Sequence, residues 1–185
     1  ELLIAQGHQV FLDLKLHDIP NTVSKATEQL ADLNTSMTNV HAAGGSAMMK
    51  AAKESFPKGK LIAVTQLTSI SEEQLQKEQG SHLSMQESVL NYALLAKNAG
   101  LDGVVCSAYE APLIHKHCGK DFLCVCPGIR FASDEQADQK RVMTAYEAAK
   151  NGADYIVVGR SITQAQDPYK AYERMLKEWN DGKNN

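Results

Sequence analysis

Short apolar runs alternate with longer amphipathic stretches along the whole chain. Strands that alternate with helices at this spacing form βαβ crossovers, so the pattern predicts a parallel sheet with helices between its strands. The predicted strands are residues 10–16, 37–41, 61–66, 103–106, 122–126 and 155–158. The predicted helices are residues 21–33, 46–54, a long one centred on 86–99, 108–118, 138–150 and 168–179. The polar segment 71–86 is predicted to be a long loop, and residues 181–185 a frayed tail.

Two architectures fit this pattern, an open doubly wound sheet and a (β/α)8 barrel. The sequence lacks the G-x-G-x-x-G fingerprint of dinucleotide-binding doubly wound sheets. Polar or small residues follow nearly every predicted strand, and a barrel builds its active site at that edge. The sequence therefore favours one barrel domain over residues 1–185 that contains six of the eight βα units. The two missing units are expected to precede Glu1.

The first predicted strand carries two opposite charges at alternate positions. Side chains alternate between the faces of a strand, so Asp13 and Lys15 are expected on one face and Leu12, Leu14 and Leu16 on a packed face behind it. Buried charges are costly unless they are paired. The strand therefore predicts a chemical role for the two charges, in a pocket that excludes water. A structural ion pair on an edge strand is the alternative.

Two later strand ends combine glycine with arginine. Arg130 follows Gly128 after the fifth predicted strand, and Arg160 follows Gly159 after the sixth. Glycine lets backbone N–H groups approach an anion closely, and arginine offers a two-pronged donor. Barrels commonly bind phosphate on the loops after their last two strands, next to a helix N-terminus. The pattern predicts a phosphate site, with ordinary turn glycines and surface cations as the alternative.

Composition limits the partners and the compartment. A net charge of −3 gives no general attraction to nucleic acid or to anionic membranes, and no apolar run approaches the length of a membrane span. Four cysteines in 185 residues predict reduced thiols and a cytoplasmic protein rather than a disulfide scaffold. The run from His115 to Cys118 fits no zinc spacing, so it is expected to be a solvated helix end.

The segment Asp13-Leu14-Lys15-Leu16-His17-Asp18-Ile19-Pro20-Asn21-Thr22 resembles the signature of the orotidine 5′-phosphate decarboxylase family, in its bacterial form. Segments 40–45, 64–69, 103–107, 127–130 and 156–162 resemble the family in the same order, so the resemblance covers essentially the whole chain. It implies a TIM (β/α)8 barrel that converts orotidine 5′-phosphate to UMP in pyrimidine biosynthesis. The family's chemistry needs neither a metal nor an organic cofactor, so none is expected.

The resemblance also implies roles for individual residues. Lys15 is expected to protonate C6 of the pyrimidine as carbon dioxide leaves, while Asp13 holds Lys15 and faces the substrate carboxylate. Asp18 is expected to enter the site of a second subunit together with Ile19, Pro20 and Thr22, which implies a homodimer. The other expected substrate contacts are Thr68 at the pyrimidine, Pro127, and Arg130, Gln139, Gly159 and Arg160 at the phosphate.

The resemblance begins after the family's first two strands. The family carries an aspartate on the first strand and a lysine on the second, and both bind ribose and complete an array of alternating charges. The sequence starts after both positions. We therefore expect the 185 residues by themselves to have little or no decarboxylase activity.

Two other functions fit part of the pattern. The 3-keto-gulonate-phosphate decarboxylases and hexulose-phosphate synthases share the Asp-x-Lys-x-x-Asp strand but use Mg²⁺, and they resemble this chain less after Asp18. A barrel that binds UMP without catalysis is the third possibility. The intact set of Asp13, Lys15 and Asp18 argues against a binder without chemistry.

Overall fold

The computed structural model describes residues 1–134 and 142–184. Its strands are β1 (Phe11–Leu16), β2 (Met37–His41), β3 (Lys60–Val64), β4 (Gly103–Val105), β5 (Leu123–Cys126) and β6 (Tyr155–Ile156). Its helices are α1 (Leu2–Ala5), α2 (Pro20–Asp32), α3 (Gly45–Glu54), α4 (Glu72–Lys77), α5 (Met85–Asn98), α6 (Ala111–Cys118), α7 (Ala145–Lys150), α8 (Arg160–Thr163) and α9 (Pro168–Lys183). Each predicted strand is confirmed, with ends that differ by one or two residues. Of the predicted helix 138–150, residues 138–141 lie outside the described ranges.

The strands follow one another in the sheet in chain order, from β1 to β6. The pairs β1–β2, β2–β3 and β5–β6 are parallel. Doubly wound sheets reverse their strand order at a switch point, whereas successive strands of a barrel are neighbours. The fold is therefore α/β with the strand order of a barrel, as predicted.

The chain forms two compact units, which are described separately. Unit 1 comprises residues 1–65 and 89–104, and unit 2 comprises the described residues of 66–88 and 105–185. In unit 1, α2 packs against α3, and Met48 and Phe56 are buried. In unit 2, α7 packs against α9, and Ile114, Val125 and Met175 are buried. A single barrel domain stays a prediction.

The segment 71–86 is not the plain loop that its polarity suggested. Helix α4 begins after Ser71, whose Oγ accepts a hydrogen bond from the Gln74 N–H at 3.3 Å. The Gln74 side chain accepts one in return from the Ser71 N–H at 3.2 Å. This reciprocal cap satisfies backbone groups that a short helix leaves unpaired, and Leu75 is buried beneath it. The prediction was wrong because one local motif outweighs average polarity.

The end of the chain is also more ordered than predicted. Helix α9 continues to Lys183, whose Nζ donates to the Ala153 carbonyl at 2.6 Å and lies 4.7 Å from the centre of the Trp179 ring. Gly182 lies against the backbone of Tyr146, where a Cβ would come within 2.4 Å of the carbonyl oxygen. Close packing on α7 therefore holds the last turn of α9 in place.

The four cysteines are buried, and none of them forms a disulfide bond. Hydrogen bonds with Cys124 and Cys126, together with burial, raise the pKa of Cys106 well above its ordinary value, so it stays a neutral thiol. Cys124 and Cys126 are small core residues. Across residues 1–134 and 142–184, no helix has both the length and the apolar composition needed to cross a bilayer.

In unit 1, the residue before β4 is an aspartate, Asp102, and it is hydrogen-bonded to β3. Asp102 Oδ2 accepts hydrogen bonds from the Leu61 N–H at 2.7 Å and from Lys53 Nζ at 2.6 Å. The Asp102 N–H donates to the Leu61 carbonyl at 2.9 Å. These three residues form what we call the Asp102 bridge, which fixes the start of both strands to the end of α3.

We expect Asp102→Ala to lower the free energy of unfolding by about 2 kcal/mol, because a hydrogen bond to a charged group contributes about 1.5–3 kcal/mol and Asp102 is partly exposed. Asp102→Asn keeps an acceptor for Leu61 and should lose less. Urea unfolding measures both changes. Glu28→Ala, on the exposed side of α2, is the control, and equal midpoints for it and Asp102→Ala would contradict the prediction.

Candidate active site

Strand β1 is interrupted by a bulge at the residues that carry its charges. Leu12 pairs with Thr38, but Leu16 pairs with Val40, so four steps along β1 match two steps along β2. Within this bulge, Lys15 has a φ of +50°, in the left-handed region. That conformation costs a residue with a Cβ about 1–2 kcal/mol. Bulges next to active sites redirect side chains, and this one redirects Lys15.

Asn39 of β2 holds the bulge in place. Its side chain is fully buried, its Oδ1 accepts a hydrogen bond from the Lys15 N–H at 2.7 Å, and its Nδ2 donates to Asp13 Oδ1 at 2.7 Å. Lys15 Nζ donates to the same carboxylate oxygen at 2.6 Å. We call Asp13, Lys15 and Asn39 the Asp13 cluster. Asn39 was missed in the sequence, although an amide in a buried strand needs partners and therefore was a signal.

The pairing of Asp13 with Lys15 is as predicted, but the environment of the pair is not. The exposed fraction of the side chain is 49% for Asp13 and 44% for Lys15, so the pocket is open to water on one side in this structure. Leu14 is 50% exposed rather than packed in a core layer. The prediction of a buried strand was wrong because alternation shows which side chains share a face of the strand but not what covers that face.

The Asp13 carboxylate accepts hydrogen bonds from both other members of the Asp13 cluster. Partial burial raises its pKa, but the hydrogen bonds from Lys15 and Asn39 and the positive charge of Lys15 together outweigh burial. The net result is a pKa below the ordinary value of an aspartate. Asp13 is therefore an anion at neutral pH and fixes one hydrogen-bond direction of the ammonium group.

The predicted intersubunit group lies at the start of α2, facing solvent. Asp18 Oδ1 accepts a hydrogen bond from the Ile19 N–H at 2.6 Å, and Pro20 is the first residue of the helix. Asp18, Pro20 and Thr22 are exposed, and the large apolar side chain of Ile19 is 66% exposed. The group thus presents a carboxylate beside an uncovered apolar side chain.

Two histidines stack between the loops that follow β1 and β2. The ring centres of His17 and His41 are 5.2 Å apart, with 18° between the ring planes. His41 Nδ1 accepts a hydrogen bond from the Ala43 N–H at 3.3 Å, so the imidazole helps to hold the turn after β2. Burial, followed by the charge of His17, lowers the pKa of His41 below the ordinary histidine value. His41 is therefore neutral at pH 7.

Unit 2 contains a cavity of about 600 Å³ that has four cations among its eleven lining residues. Two of the four predicted phosphate ligands, Arg130 and Arg160, line it, and so do Lys170 and Arg174 of α9. Asp134 is the acidic residue of this lining, and its Oδ2 accepts a hydrogen bond from Ser161 Oγ at 2.5 Å. The lining itself is net positive, with four cations and one carboxylate, and this suits a phosphate monoester. Lys170 and Arg174 also pair with Asp167 at 3.3 Å and Glu178 at 3.1 Å. We call this site the cationic cavity.

The turn after β5 positions Arg130. Gly128 has a φ of +81°, and its carbonyl accepts a hydrogen bond from the Met143 N–H at 3.2 Å. The Arg130 N–H donates to the Met143 carbonyl at 3.1 Å. The helix that was expected after Gly159 is present, but it is short: α8 has only four residues, so its dipole is weak. Charge from side chains, rather than a helix dipole, is therefore the main attraction for an anion here.

Lys170 and Arg174 were not among the predicted ligands. They lie four residues apart on α9, so they share one face of the helix. The guanidinium carbon of Arg174 lies 4.0 Å from the centre of the Phe131 ring, and Arg174 Nε donates to Glu178 at 3.1 Å. The four-residue spacing of two cations was the available signal.

The remaining predicted ligands are less informative. Thr68 is half-buried in the turn after β3, and Pro127 is half-buried directly after β5. Gly159 is exposed and precedes α8. Gln139 lies outside the described residues.

Comparisons with known proteins agree on one family. A model described as the orotidine 5′-phosphate decarboxylase / HUMPS family matches residues 1–175. The orotidine 5′-phosphate decarboxylase of Geobacillus sp. (strain WCH70) is 59% identical over 182 residues, which cover 94% of this chain and 76% of that protein. The enzyme of the same name from Streptococcus suis (strain 05ZYH33) is 57% identical over 177 residues, with 95% and 77% covered.

Solved structures give the same result. The crystal structure of orotidine 5′-phosphate decarboxylase from Lactobacillus acidophilus has a TM-score of 0.85 and 46% sequence identity, and the match covers 97% of this chain and 79% of that one. The crystal structure of the enzyme from Pyrococcus horikoshii OT3 has a TM-score of 0.72 at 24% identity, and it supports the fold alone.

We expect His41 to make the protein less stable in acid. Because its pKa is lower in the folded than in the unfolded chain, the unfolded chain binds a proton first as the pH falls below about 6.5. Stability is then full above that pH and is lost as the pH falls towards the pKa of the folded state. His41→Asn keeps an acceptor for Ala43. Its free energy of unfolding should differ less than that of the wild type between about pH 7.5 and about pH 5, on either side of the ordinary histidine pKa of about 6.5.

Urea unfolding at the two pH values measures this difference. His8→Asn replaces an exposed histidine in the same unit and should keep the wild-type pH dependence. A His41→Asn protein with the wild-type pH dependence would show that another group is responsible.

Proposed function

The chain belongs to the orotidine 5′-phosphate decarboxylase / HUMPS family, and from this premise we propose that it converts orotidine 5′-phosphate to UMP in pyrimidine biosynthesis, with Lys15 as the proton donor. The observation that carries the role of Lys15 is the Asp13 cluster. A charged pair at 2.6 Å is held on a left-handed bulge by a buried amide. Strain of this kind persists where the surroundings enforce it, and it concentrates at functional sites.

The chemistry requires a fixed cation at one carbon atom. When carbon dioxide leaves C6 of the pyrimidine, an electron pair stays on that carbon, and no adjacent carbonyl can take it up. A positive group already in position stabilises this charge in the transition state, and it can then deliver a proton to C6. Lys15 supplies both the charge and the proton. Asp13 and Asn39 hold its backbone and its ammonium group in one orientation.

Asp13 has a second part in the proposal. Its lowered pKa keeps it ionised when a substrate with its own carboxylate enters the site. Two neighbouring carboxylates repel each other until carbon dioxide departs, so their interaction improves on the way to the transition state. Interactions that improve in this way are those that raise the rate of the chemical step.

The cationic cavity of unit 2 is the proposed phosphate site. Arg130 and Arg160 are arranged around a volume that accommodates a phosphate monoester, and Lys170 adds charge. The phosphate takes no part in bond breaking. Its binding energy can still be used at the reacting carbon, because binding at a remote group holds the substrate in the reactive position. Gln139 stays a proposed ligand from the sequence alone.

We further propose that the active form is a homodimer in the cytoplasm. Asp18 and Ile19 face solvent at the start of α2, where a carboxylate and an uncovered apolar side chain suit a contact with a second subunit. Four cysteines without a disulfide bond suit a reducing compartment. The Mg²⁺-dependent alternative of the HUMPS enzymes is less well supported, because the 57–59% identical relatives are orotidine 5′-phosphate decarboxylases.

We expect Lys15→Ala to reduce kcat by about 10²- to 10³-fold or more, because it removes the group that stabilises the transition-state charge. Lys15→Arg keeps the positive charge but removes the proton donor, because arginine stays protonated. It should also be inactive if Lys15 is the acid. The assay uses the natural protein that carries these residues, and it follows turnover by the ultraviolet absorbance of orotidine 5′-phosphate.

Lys50→Ala removes an exposed lysine of α3 and should leave kcat unchanged. Turnover by Lys15→Ala at the rate of Lys50→Ala would disprove the assignment. Loss of wild-type turnover in a chelator, restored by Mg²⁺, would favour the HUMPS alternative.

A mixing experiment tests the homodimer. If Asp18 acts across the interface, a mixed dimer of Lys15→Ala and Asp18→Ala subunits contains one site with both substitutions and one intact site. Equal mixing of the two inactive proteins should therefore restore about a quarter of wild-type activity, because half of the dimers are mixed in a symmetric two-subunit assembly. Mixing Lys15→Ala with Asp13→Ala is the control, since both residues belong to one subunit's site. If neither mixture recovers activity, Asp18 serves the site of its own subunit.

A further inference from the structure

The Asp102 bridge of unit 1 has a counterpart in unit 2. Asp154 Oδ2 accepts a hydrogen bond from the Cys124 N–H at 2.7 Å, and the Asp154 N–H donates to the Cys124 carbonyl at 3.0 Å. Asp102 makes the same two bonds with Leu61. Each aspartate directly precedes a strand and follows a Gly-x step, in Gly100-Leu101-Asp102 and Gly152-Ala153-Asp154.

The third member of the bridge differs between the units. In unit 1, Lys53 from α3 donates to Asp102 at 2.6 Å. In unit 2, His115 from α6 takes that position, with its Nε2 3.2 Å from Asp154 Oδ2. The run that begins at His115 was expected to be a solvated helix end. Lys116 and His117 are exposed, but His115 is only 17% exposed, because it contacts Asp154.

Replacing lysine by histidine and leucine by cysteine changes what this position can bind. The unit 1 bridge offers one carboxylate beside an ammonium group. The unit 2 bridge offers an imidazole nitrogen, a thiol sulfur and a carboxylate oxygen, and these atoms all lie within 4.8 Å of one another. Nitrogen, sulfur and oxygen donors at such distances are the ligand set of zinc-class divalent cations.

We propose that His115, Cys124 and Asp154 form a binding site for a divalent cation of the zinc class, with water as the remaining ligand. Ligand atoms around a tetrahedral zinc ion are about 3.3–3.8 Å apart, so the donors need to approach by at most about 1.5 Å. The contact between His115 and Asp154 is already of that length. The site lies at the first half of β5, whereas Arg130 follows the other end of that strand.

Charge and burial both suit this ion. A thiolate and a carboxylate balance a divalent cation, so the loaded site is neutral and is not penalised for its partial burial. Cys124 is fully buried, whereas the Asp154 side chain is 26% exposed, so the ion can enter and keep a water ligand from that side. Binding displaces the thiol proton of Cys124, and it joins α6, β5 and the turn before β6.

Cobalt(II) is the probe, because its spectrum reports on sulfur ligation and on tetrahedral geometry. Adding Co²⁺ to chelator-treated protein should produce a thiolate-to-cobalt charge-transfer band and visible d–d bands that saturate at one ion per chain, and Zn²⁺ should displace them. Cys124→Ser should lose the charge-transfer band. His115→Gln and Asp154→Asn should each weaken binding by more than the about 10- to 100-fold that loss of a ligand's hydrogen-bond partner costs.

Matched variants separate a metal site from a general weakening of the fold. Asp102→Asn alters the corresponding bridge of unit 1 and should leave cobalt binding unchanged. His117→Gln and Cys118→Ser alter the other donors of the same helix end and should also have no effect. Zn²⁺ should raise the melting temperature of the wild type, but not that of His115→Gln, which keeps the comparison available if Cys124→Ser does not fold.

Three results would overturn the proposal. The first is a cobalt spectrum without the thiolate band. The second is loss of binding in His117→Gln or Cys118→Ser, which would place the ion at the helix end. The third is loss of binding in Cys106→Ser with none in His115→Gln, which would indicate a site made of thiols alone.

Discussion

The hydrogen bonds of Asn39 are the constraint on which the charged end of β1 depends. A strand with regular pairing would place Lys15 in the sheet with an extended backbone, and its ammonium group would have no fixed relation to Asp13. The buried amide accepts the Lys15 N–H and donates to Asp13, so one side chain of β2 holds both the turned backbone and the carboxylate. The ion pair at 2.6 Å is then a result of backbone geometry as much as of charge attraction.

The sequence contained the order of the elements and the identity of most charged residues. Alternating apolar runs located the six strands of the described residues. It did not reveal the bulge, because the argument from alternation assumes regular pairing. A left-handed lysine has no signature of its own when its stabilising partner lies 24 residues away.

Other misses were of a different kind, because their signals were local and available. Ser71 and Gln74 have the spacing of a reciprocal helix cap, and Lys170 and Arg174 have the spacing of one helical face. The cap was missed because the prediction for segment 71–86 rested on the average polarity of the segment. The half-exposed state of Asp13 was missed for a third reason. Solvent exposure depends on what covers a strand, and the local sequence pattern does not show what covers it.

The burial of Thr38 and Asn39 has a consequence for how this chain can vary. Both side chains are fully enclosed in β2, and both serve β1, since Thr38 Oγ1 donates to the Leu12 carbonyl at 2.9 Å. An aliphatic residue at 39 would suit the interior better and would release the lysine from its unusual backbone. Under the proposed role of Lys15, selection for robustness and selection for catalysis act in opposite directions at this one site. Stabilising substitutions in β2 are thus the ones most prone to trade turnover for thermal tolerance.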